Sequence, residues 1–140
     1  MTTAAESSDA TTSSYLEAAQ ALAPLIGAHA ESIESERRLP EPVIRALTEA
    51  GVFRLFAPRA LGGAEADPVT VCRVVEELAK ADGATGWCAM VGATFSLLGG
   101  LLPEQAAREI YVDPSVAVAG SFRPSGTARA VDGGYQVSGR

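Results

Sequence analysis

The longest uncharged segment of the chain spans residues 83–103 and reads GATGWCAMVGATFSLLGGLLP. A segment of this length without a charge must be buried, either in a lipid bilayer or in the core of a protein. Its five glycines, two threonines and one serine lower its hydrophobicity, and the acidic residues Asp82 and Glu104 flank it. No basic flank marks one end as cytoplasmic. We therefore expect a buried helix within a larger all-helical core.

The rest of the first 113 residues also has the sequence signals of helices. Ser14 is a plausible N-cap for the first helix, in which Pro24 should produce a kink or mark the true start. Asp67 and Pro68 are typical of a helix N-terminus. Apolar residues at helical spacing predict five helices: residues 15–34, 43–49, Pro68 to Gly83, the uncharged segment up to Gly99, and 103–111.

The periodicity changes after Pro114. Residues 115–122 form a β-like run, and 127–131 and 135–139 alternate polar and apolar residues around an Asp-Gly-Gly turn. A hairpin alone is only marginally stable, so these strands need partners that the sequence does not supply. The predicted fold class is mainly α: a helical bundle domain over 15–113 follows a disordered leader (1–14) and precedes the first strands of a truncated β domain (114–140).

Charge and composition exclude several functions. Lys and Arg number 11 against 17 Asp and Glu, which gives a net charge of −6, so neither nucleic acid nor an anionic membrane surface is an expected partner. The two cysteines form no CxxC pair, which suits a reducing cytoplasm. His29 is the only histidine, so we expect no multi-histidine metal site and no catalytic triad.

Few residues carry a signal for chemistry. The glycine pairs lack the spacing of a phosphate-binding loop, and the adjacent Glu76 and Glu77 point about 100° apart on a helix, so we expect a solvated face there. Trp87 lies among small residues, which fits either core packing or a wall for a flat ring system. Ser121 and Phe122 end a β-like run, where ligands often bind.

Three segments, in order, resemble the acyl-CoA dehydrogenase superfamily of flavoenzymes. Leu39-Pro40 with VIRALTEAGVFRLFAPRALGG (43–63) resembles its helix-to-loop entry, and VVEELAKADGATGW (74–87) resembles the next helix and turn. VAGSFRPSGTARAVDGGYQVSGR (118–140) resembles the first strands of the central β-barrel domain. The resemblance covers about residues 15–140 and implies that the β domain is the start of a barrel.

The resemblance implies bound FAD, a small-molecule substrate such as an acyl-CoA, an electron-transfer partner, and a homotetramer when the protein is full length. Dehydrogenases of the superfamily usually carry Thr-Glu-Pro where this chain has Phe122-Arg123-Pro124, and the Gly-Ser-Asp loop that follows is missing. The shorter form resembles the two-component hydroxylases, which use reduced FMN or FAD delivered by a separate reductase. Those enzymes commonly have Gly-Trp followed two turns later by a histidine; Gly86-Trp87 is present, but Thr94-Phe95 occupy the later position.

The expected site follows from this comparison. Trp87, Thr94 and Phe95 are predicted to line the substrate side, and Ser121 and Phe122 to lie near the flavin edge. None of these residues is expected to be a catalytic base, since the dehydrogenase glutamate usually lies in a later helical bundle. We therefore expect the 140 residues alone to be inactive. A helical interaction module without chemistry, with 83–103 as its docking face, is the alternative from another functional class.

Overall fold

The fold is described from a computed structural model, which defines residues 3–123 and 125–139, with side chains from residue 13 onward. The helices are α1 (Thr3–Ala28), α2 (Ala30–Glu36), α3 (Glu41–Glu49), α4 (Pro68–Ala81), α5 (Gly83–Ser96) and α6 (Glu104–Tyr111). Short 3-10 turns cover Val52–Arg54, Arg59–Leu61 and Leu97–Leu101, and two strands, β1 (Gly126–Val131) and β2 (Gly134–Gly139), follow α6.

Helix α4 forms the centre of the helical part because it packs extensively against both α1 and α5. Val71, Val74 and Leu78 recur at helical spacing and are buried on its inner face. The predicted N-terminus is confirmed: Asp67 Oδ1 accepts hydrogen bonds from the backbone N–H groups of Val69 (2.9 Å) and Thr70 (3.1 Å). Hydrogen bonds from Thr70, first from its hydroxyl, lower the pKa of Asp67.

The uncharged segment is a helix, as predicted, and it packs directly on α4. Asp82 ends α4 and caps α5, where its Oδ1 accepts bonds from the backbone N–H (2.6 Å) and hydroxyl (2.8 Å) of Thr85. Gly86 then faces Ala79 so closely that an added Cβ would lie 2.5 Å from the Ala79 Cβ. The residues from Gly83 to Leu101 are also long and apolar enough to cross a membrane by length and composition. In the structure they pack against α4 and the 52–54 turn.

The helix expected over residues 15–34 is instead two helices with different bounds. Helix α1 begins at Thr3, so the expectation of a disordered leader is wrong for residues 3–14; residues 1 and 2 lie outside the described part of the chain. That segment lacks an apolar stripe, but its alanines favour helix. Pro24 lies inside α1, and the break comes at His29, whose ring Nδ1 is 3.0 Å from the Leu25 carbonyl oxygen.

The core lies where α1, α3, α4 and α5 meet the turn over 52–54. Helix α3 buries Val43 and Leu47, as its spacing predicts, whereas Ile44 is partly exposed. The other large, fully buried apolar side chains come from several elements: Ile26, Val52, Leu55, Val74 and Leu78. With Ala89 and Ala93 of α5, the core draws on residues spread from Ala19 to Ala93.

A buried arginine ties α6 to this core. Arg54 is 8% exposed, and its guanidinium donates to the carbonyl oxygens of Leu61 (3.2 Å), Tyr111 (3.4 Å) and Asp113. It also lies over the Tyr111 ring, with 5.3 Å from its Cζ to the ring centroid. The Tyr111 hydroxyl donates to the Ser96 carbonyl oxygen at 3.1 Å, which joins α6 to the end of α5. Arg54 thus satisfies the last carbonyls of α6, where the chain leaves the helical part.

The C-terminal hairpin is confirmed, but the strand expected over residues 115–122 is wrong. Strands β1 and β2 pair antiparallel from Gly126 with Gly139 to Val131 with Gly134, and Gly133 takes the left-handed conformation (φ 79°) that the turn requires. Residues 115–122 have no strand partner within the described residues, so they remain irregular. Every residue of both strands is exposed, so the hairpin adds nothing to the helical core.

Replacing Gly86 with alanine should lower the free energy of unfolding by about 2 kcal/mol, because the added methyl overlaps the backbone and Cβ of Ala79. Gly83→Ala is the matched control, since an added Cβ there meets nothing within 4 Å. It should be neutral or stabilise slightly, because alanine restricts the unfolded chain. Urea titrations followed by circular dichroism measure both. Equal effects of the two changes would contradict the close contact.

Arg54→Met should lower the free energy of unfolding by about 3 kcal/mol, because it keeps the aliphatic stem but leaves three carbonyl groups, of which that of Tyr111 is buried, without their donor. Arg108→Met is the control. It removes an exposed ion pair with Glu104 (2.8 Å) and should change stability little. Both variants are compared by urea denaturation at one pH. A stable Arg54→Met variant would show that the carbonyls find other partners.

Candidate functional site

One side of α5 is left open, and all three predicted substrate-side residues lie on this helix. Residues 85, 86, 89, 92 and 93 face inward and are buried. On the outer side, Trp87 is exposed, and Thr94 and Phe95 are half-buried. Helix α5 carries no charged side chain, so a ligand on this side would meet apolar and hydroxyl groups.

Phe95 and Phe122 form a stacked aromatic pair. Their ring centroids are 5.1 Å apart and their planes are inclined by 27°. Gly120 permits this arrangement, because a Cβ at that position would lie 2.5 Å from Phe95 Cε1. Phe122 is 84% exposed, so its ring is available to a ligand. The structure therefore joins a predicted substrate-side residue to a predicted flavin-side residue.

Ser121 lies between Gly120 and Phe122, at the edge of this pair. Its Oγ accepts a hydrogen bond from the backbone N–H of Arg123 at 3.1 Å. That bond fixes the oxygen as an acceptor and leaves the hydroxyl proton to be donated elsewhere. Pro124, the residue after Arg123, lies outside the described residues. An aromatic face with a hydroxyl group at its edge fits a flat, polar-rimmed ring.

Trp87 is not part of this pair. It lies eight residues before Phe95, which is about 12 Å along the helix axis. Its indole is 65% exposed and lines a separate groove of about 440 Å³ beside the end of α2. The prediction of core packing for Trp87 is therefore wrong, and the prediction of a wall for a flat ring remains open to test.

Thr94 and Cys88 are held by interactions on or near α5. The Thr94 hydroxyl donates to Met90 Sδ at 3.7 Å. Cys88 is half-buried, and its pKa is raised by burial and by the charge of Asp82. Neither residue has the surroundings of a nucleophile.

Other sequence candidates have structural roles. Glu76 and Glu77 both pair with Lys80 on an exposed face, at 3.2 and 2.8 Å, which confirms the prediction of a solvated surface. Within the described residues, no three His, Cys, Asp or Glu side chains come together as metal ligands. Cys72 and Cys88 are both free thiols.

Two site features escaped sequence reasoning. Gly120 lies close against the Phe95 ring of the aromatic pair. A single glycine in a β-like run does not predict such a contact. Arg37 adopts a left-handed backbone conformation (φ 52°, ψ 37°) at the end of α2, where glycine would have been the recognisable signal. Both depend on contacts between segments far apart in the sequence.

The helical part matches a known family. Residues 12–109 match the model of the protein family described as "Acyl-CoA dehydrogenase, N-terminal domain". These residues hold the helical core and the open side of α5 described above. The chain therefore belongs to the acyl-CoA dehydrogenase family and carries its N-terminal domain.

Individual relatives are oxygenase components. The chain is 37% identical over 120 residues to "Flavin-dependent monooxygenase, oxygenase subunit HsaA" of Rhodococcus jostii (strain RHA1), covering 85% of this chain and 31% of that protein. It is 33% identical over 138 residues to "p-hydroxyphenylacetate 3-hydroxylase, oxygenase component" of Acinetobacter baumannii, covering 98% and 33%. The chain thus spans about a third of the length of these relatives.

Solved structures similar to this chain also include a flavin-dependent enzyme. XiaF from Streptomyces sp., solved in complex with FADH2 and glycerol, superposes with a TM-score of 0.88 at 27% identity, over 96% of this chain and 34% of that one. The names of the relatives match the hydroxylase alternative of the sequence analysis better than oxidation of an acyl-CoA. The chain is similar to flavin-dependent enzymes, one of which was solved with FADH2.

The aromatic pair fits a flavin ring sterically and chemically. The exposed Phe122 face is flat and apolar, and the Ser121 hydroxyl at its edge can donate a hydrogen bond to a ring heteroatom. The uncharged α5 beside it would leave the ring in surroundings of low polarity. These features concern one edge of a flavin, and the described residues that supply them are Phe95, Ser121 and Phe122.

The two thiols should react at different rates. At pH 8, Cys72, which is exposed, should be alkylated by iodoacetamide several-fold faster than Cys88. The raised pKa of Cys88 leaves less thiolate to react, and burial restricts access. Mass spectrometry of Cys72→Ser and Cys88→Ser variants measures each rate separately. Equal rates would mean that α5 does not shield Cys88.

Proposed function

We propose that this chain is the N-terminal part of an oxygenase component of a two-component flavin-dependent monooxygenase. Such a protein receives reduced flavin from a separate reductase and uses O2 to hydroxylate a small molecule. The observation that carries the proposal is the exposed aromatic pair of Phe95 and Phe122 beside Ser121, on a fold similar to that of an enzyme solved with FADH2. The relatives' names support a small aromatic substrate.

In this proposal, Ser121 and Phe122 contact the flavin edge, while Thr94, Phe95 and Trp87 face the substrate. The flavin, when bound, supplies the redox chemistry with oxygen. The protein's part is to orient the two rings and to keep water out. Phe95 and Phe122 present apolar faces to the rings. Ser121 holds one polar atom of the flavin in place by donating a hydrogen bond from its hydroxyl group. No described residue is assigned the role of a base.

The finer details are part of the same proposal. FAD is the preferred cofactor, with FMN as the alternative, and the reductase is the expected protein partner. Homotetramer formation and a cytoplasmic location also belong to the proposal. We expect the 140 residues to have no turnover by themselves, because they span about a third of the relatives' length.

Oxidation of an acyl-CoA is the second candidate, and the family supports it. It requires a carboxylate to take a proton while the flavin accepts a hydride. Among the described residues, the only acidic side chain on the 82–96 segment is Asp82, which is engaged with Thr85 at the N-terminus of α5. The open side of α5 offers no base, but the glutamate of the dehydrogenases usually lies in a later helical bundle, so α5 does not separate the two candidates. The oxygenase proposal is preferred because the relatives are oxygenase components.

The test uses the protein in its natural full-length form. Reduced FAD or FMN, generated by a flavin reductase, is supplied under oxygen with resorcinol or p-hydroxyphenylacetate as the probe. Oxygen-dependent formation of a hydroxylated product, measured by mass spectrometry, is the expected result. Tightly held oxidised FAD that is bleached by an acyl-CoA without oxygen would instead identify a dehydrogenase. Failure to bind any flavin would favour the interaction module.

A variant ties the activity to the site. Phe122→Leu should reduce product formed per reduced flavin by roughly tenfold, because it removes the stacking face. Its fold should be unchanged, since Phe122 is 84% exposed. Tyr135→Leu is the matched control, an exposed aromatic residue on the hairpin. If the two variants lose activity equally, the aromatic pair has no special role.

A further inference from the structure

A second ligand-sized groove lies between the end of α2 and the first half of α5. Its volume is about 440 Å³, and Trp87, Arg37 and Arg38 line it together with the buried Leu39. The proposed function gives Trp87 a place on the substrate side but uses neither arginine. This groove therefore contains an aromatic wall and two cations whose purpose is so far unassigned.

The aromatic wall is unusually exposed. Trp87 is the only tryptophan of the chain, and 65% of it faces solvent. Leaving so large an apolar surface in water forgoes the free energy of burial. The indole face and Leu39 give one flat apolar boundary. A planar ring could stack there without displacing any charged group of α5, which has none.

The groove contains one guanidinium group that is not engaged within the described residues. Arg38 is paired with Glu36 through Nε and Nη2, both at 3.0 Å from Oε2. Arg37 forms no ion pair or hydrogen bond with any residue that the structure describes. Glu34 is the one acidic residue on the groove wall. The charge of Arg38 is therefore balanced by Glu36, whereas Arg37 has donors free for a ligand.

The backbone at Arg37 supports a role for its side chain. Its left-handed conformation (φ 52°, ψ 37°) is one that glycine adopts with less strain. A cation near a helix C-terminus also favours the helix dipole, but Arg38 next to it can serve that purpose. An arginine at the strained position places a charged group on the groove.

We propose that this groove binds a planar aromatic carboxylate, with its ring against Trp87 and its carboxylate on Arg37. The inference deepens the proposed function and rests on it only in taking Trp87 to face the ligand. The binding requires no flavin, no reductase and no turnover. A negative result here would leave the flavin assay untouched, and a negative flavin assay would leave this binding intact.

Binding is measured on the natural full-length protein as the part of the fluorescence that Trp87→Phe removes, since Trp87 is the only tryptophan of these 140 residues. The probes are 4-nitrobenzoate and the neutral 4-nitrobenzyl alcohol, which share a ring that quenches indole. We expect saturable quenching by the carboxylate, weakened by salt, and only linear collisional quenching by the alcohol. Equal curves for the two probes would overturn the proposal, since charge would then play no part.

Three variants locate the anion. Arg37→Gly keeps the left-handed turn but removes the guanidinium, and should weaken 4-nitrobenzoate binding at least tenfold. Arg37→Lys should retain part of the affinity, and Glu34→Gln should tighten binding by removing a like charge from the groove wall. Arg108→Gln, on α6 and outside the groove, is the control and should bind as the unmodified protein does.

Stability is checked for each variant by thermal unfolding, and Arg37→Asn replaces Arg37→Gly if the glycine variant fails to fold. Asparagine also tolerates the left-handed conformation and carries no charge. Unchanged affinity in the folded, uncharged variant would overturn the assignment of the carboxylate to Arg37. An equal loss in Arg108→Gln would overturn it as well, because the effect would then follow net charge alone.

Discussion

The close approach of α4 and α5 is the contact on which the rest of the structure depends. Gly86 lies against Ala79 without room for a side chain, and the inner side of α5 is buried through this contact. Because that side is committed to α4, the outer side is the one left to face ligands. The position of Phe95, and of Trp87 two turns earlier, therefore follows from a packing requirement that involves no functional group.

Arg54 holds the end of α6 in place, where the chain leaves the helical part. Its bonds to carbonyl groups of Tyr111 and Asp113, and the bond from Tyr111 to Ser96, join α6 to the core and to the end of α5. The chain then runs from Asp113 to Gly120, which supports the Phe95 ring. Burying a cation is costly, and the bonds from the two Nη atoms to carbonyl oxygens offset that cost, although Arg54 Nε has no partner among the described residues. The same bonds therefore fix the start of the segment that carries Ser121 and Phe122.

Sequence alone was sufficient for features that are local. The Asp67-Pro68 start of α4, the buried stripe of α4 and the Asp-Gly turn of the hairpin each depend on neighbouring residues, and each was predicted correctly. The errors concern features set by distant contacts or weak patterns. The break at His29 has no glycine or proline at that position, and residues 115–122 resemble a strand that has no partner in the described chain. The family resemblance places Phe95 on the substrate side and Phe122 near the flavin edge, but the two are 27 positions apart, and no local spacing rule predicts that their rings stack.

The shared role of Asp82 has a consequence for how such a protein can change. A single residue both ends α4 and caps α5, so no further residue separates the two helices. One residue inserted there would turn α5 by about 100° relative to α4. The indole of Trp87 would then rotate away from its groove and the ring of Phe95 away from Phe122, and side chains would be driven into the space that Gly86 leaves empty. The length of this connection is therefore as strictly constrained as any binding residue, and new ligand preferences can arise here by substitution but not by insertion or deletion.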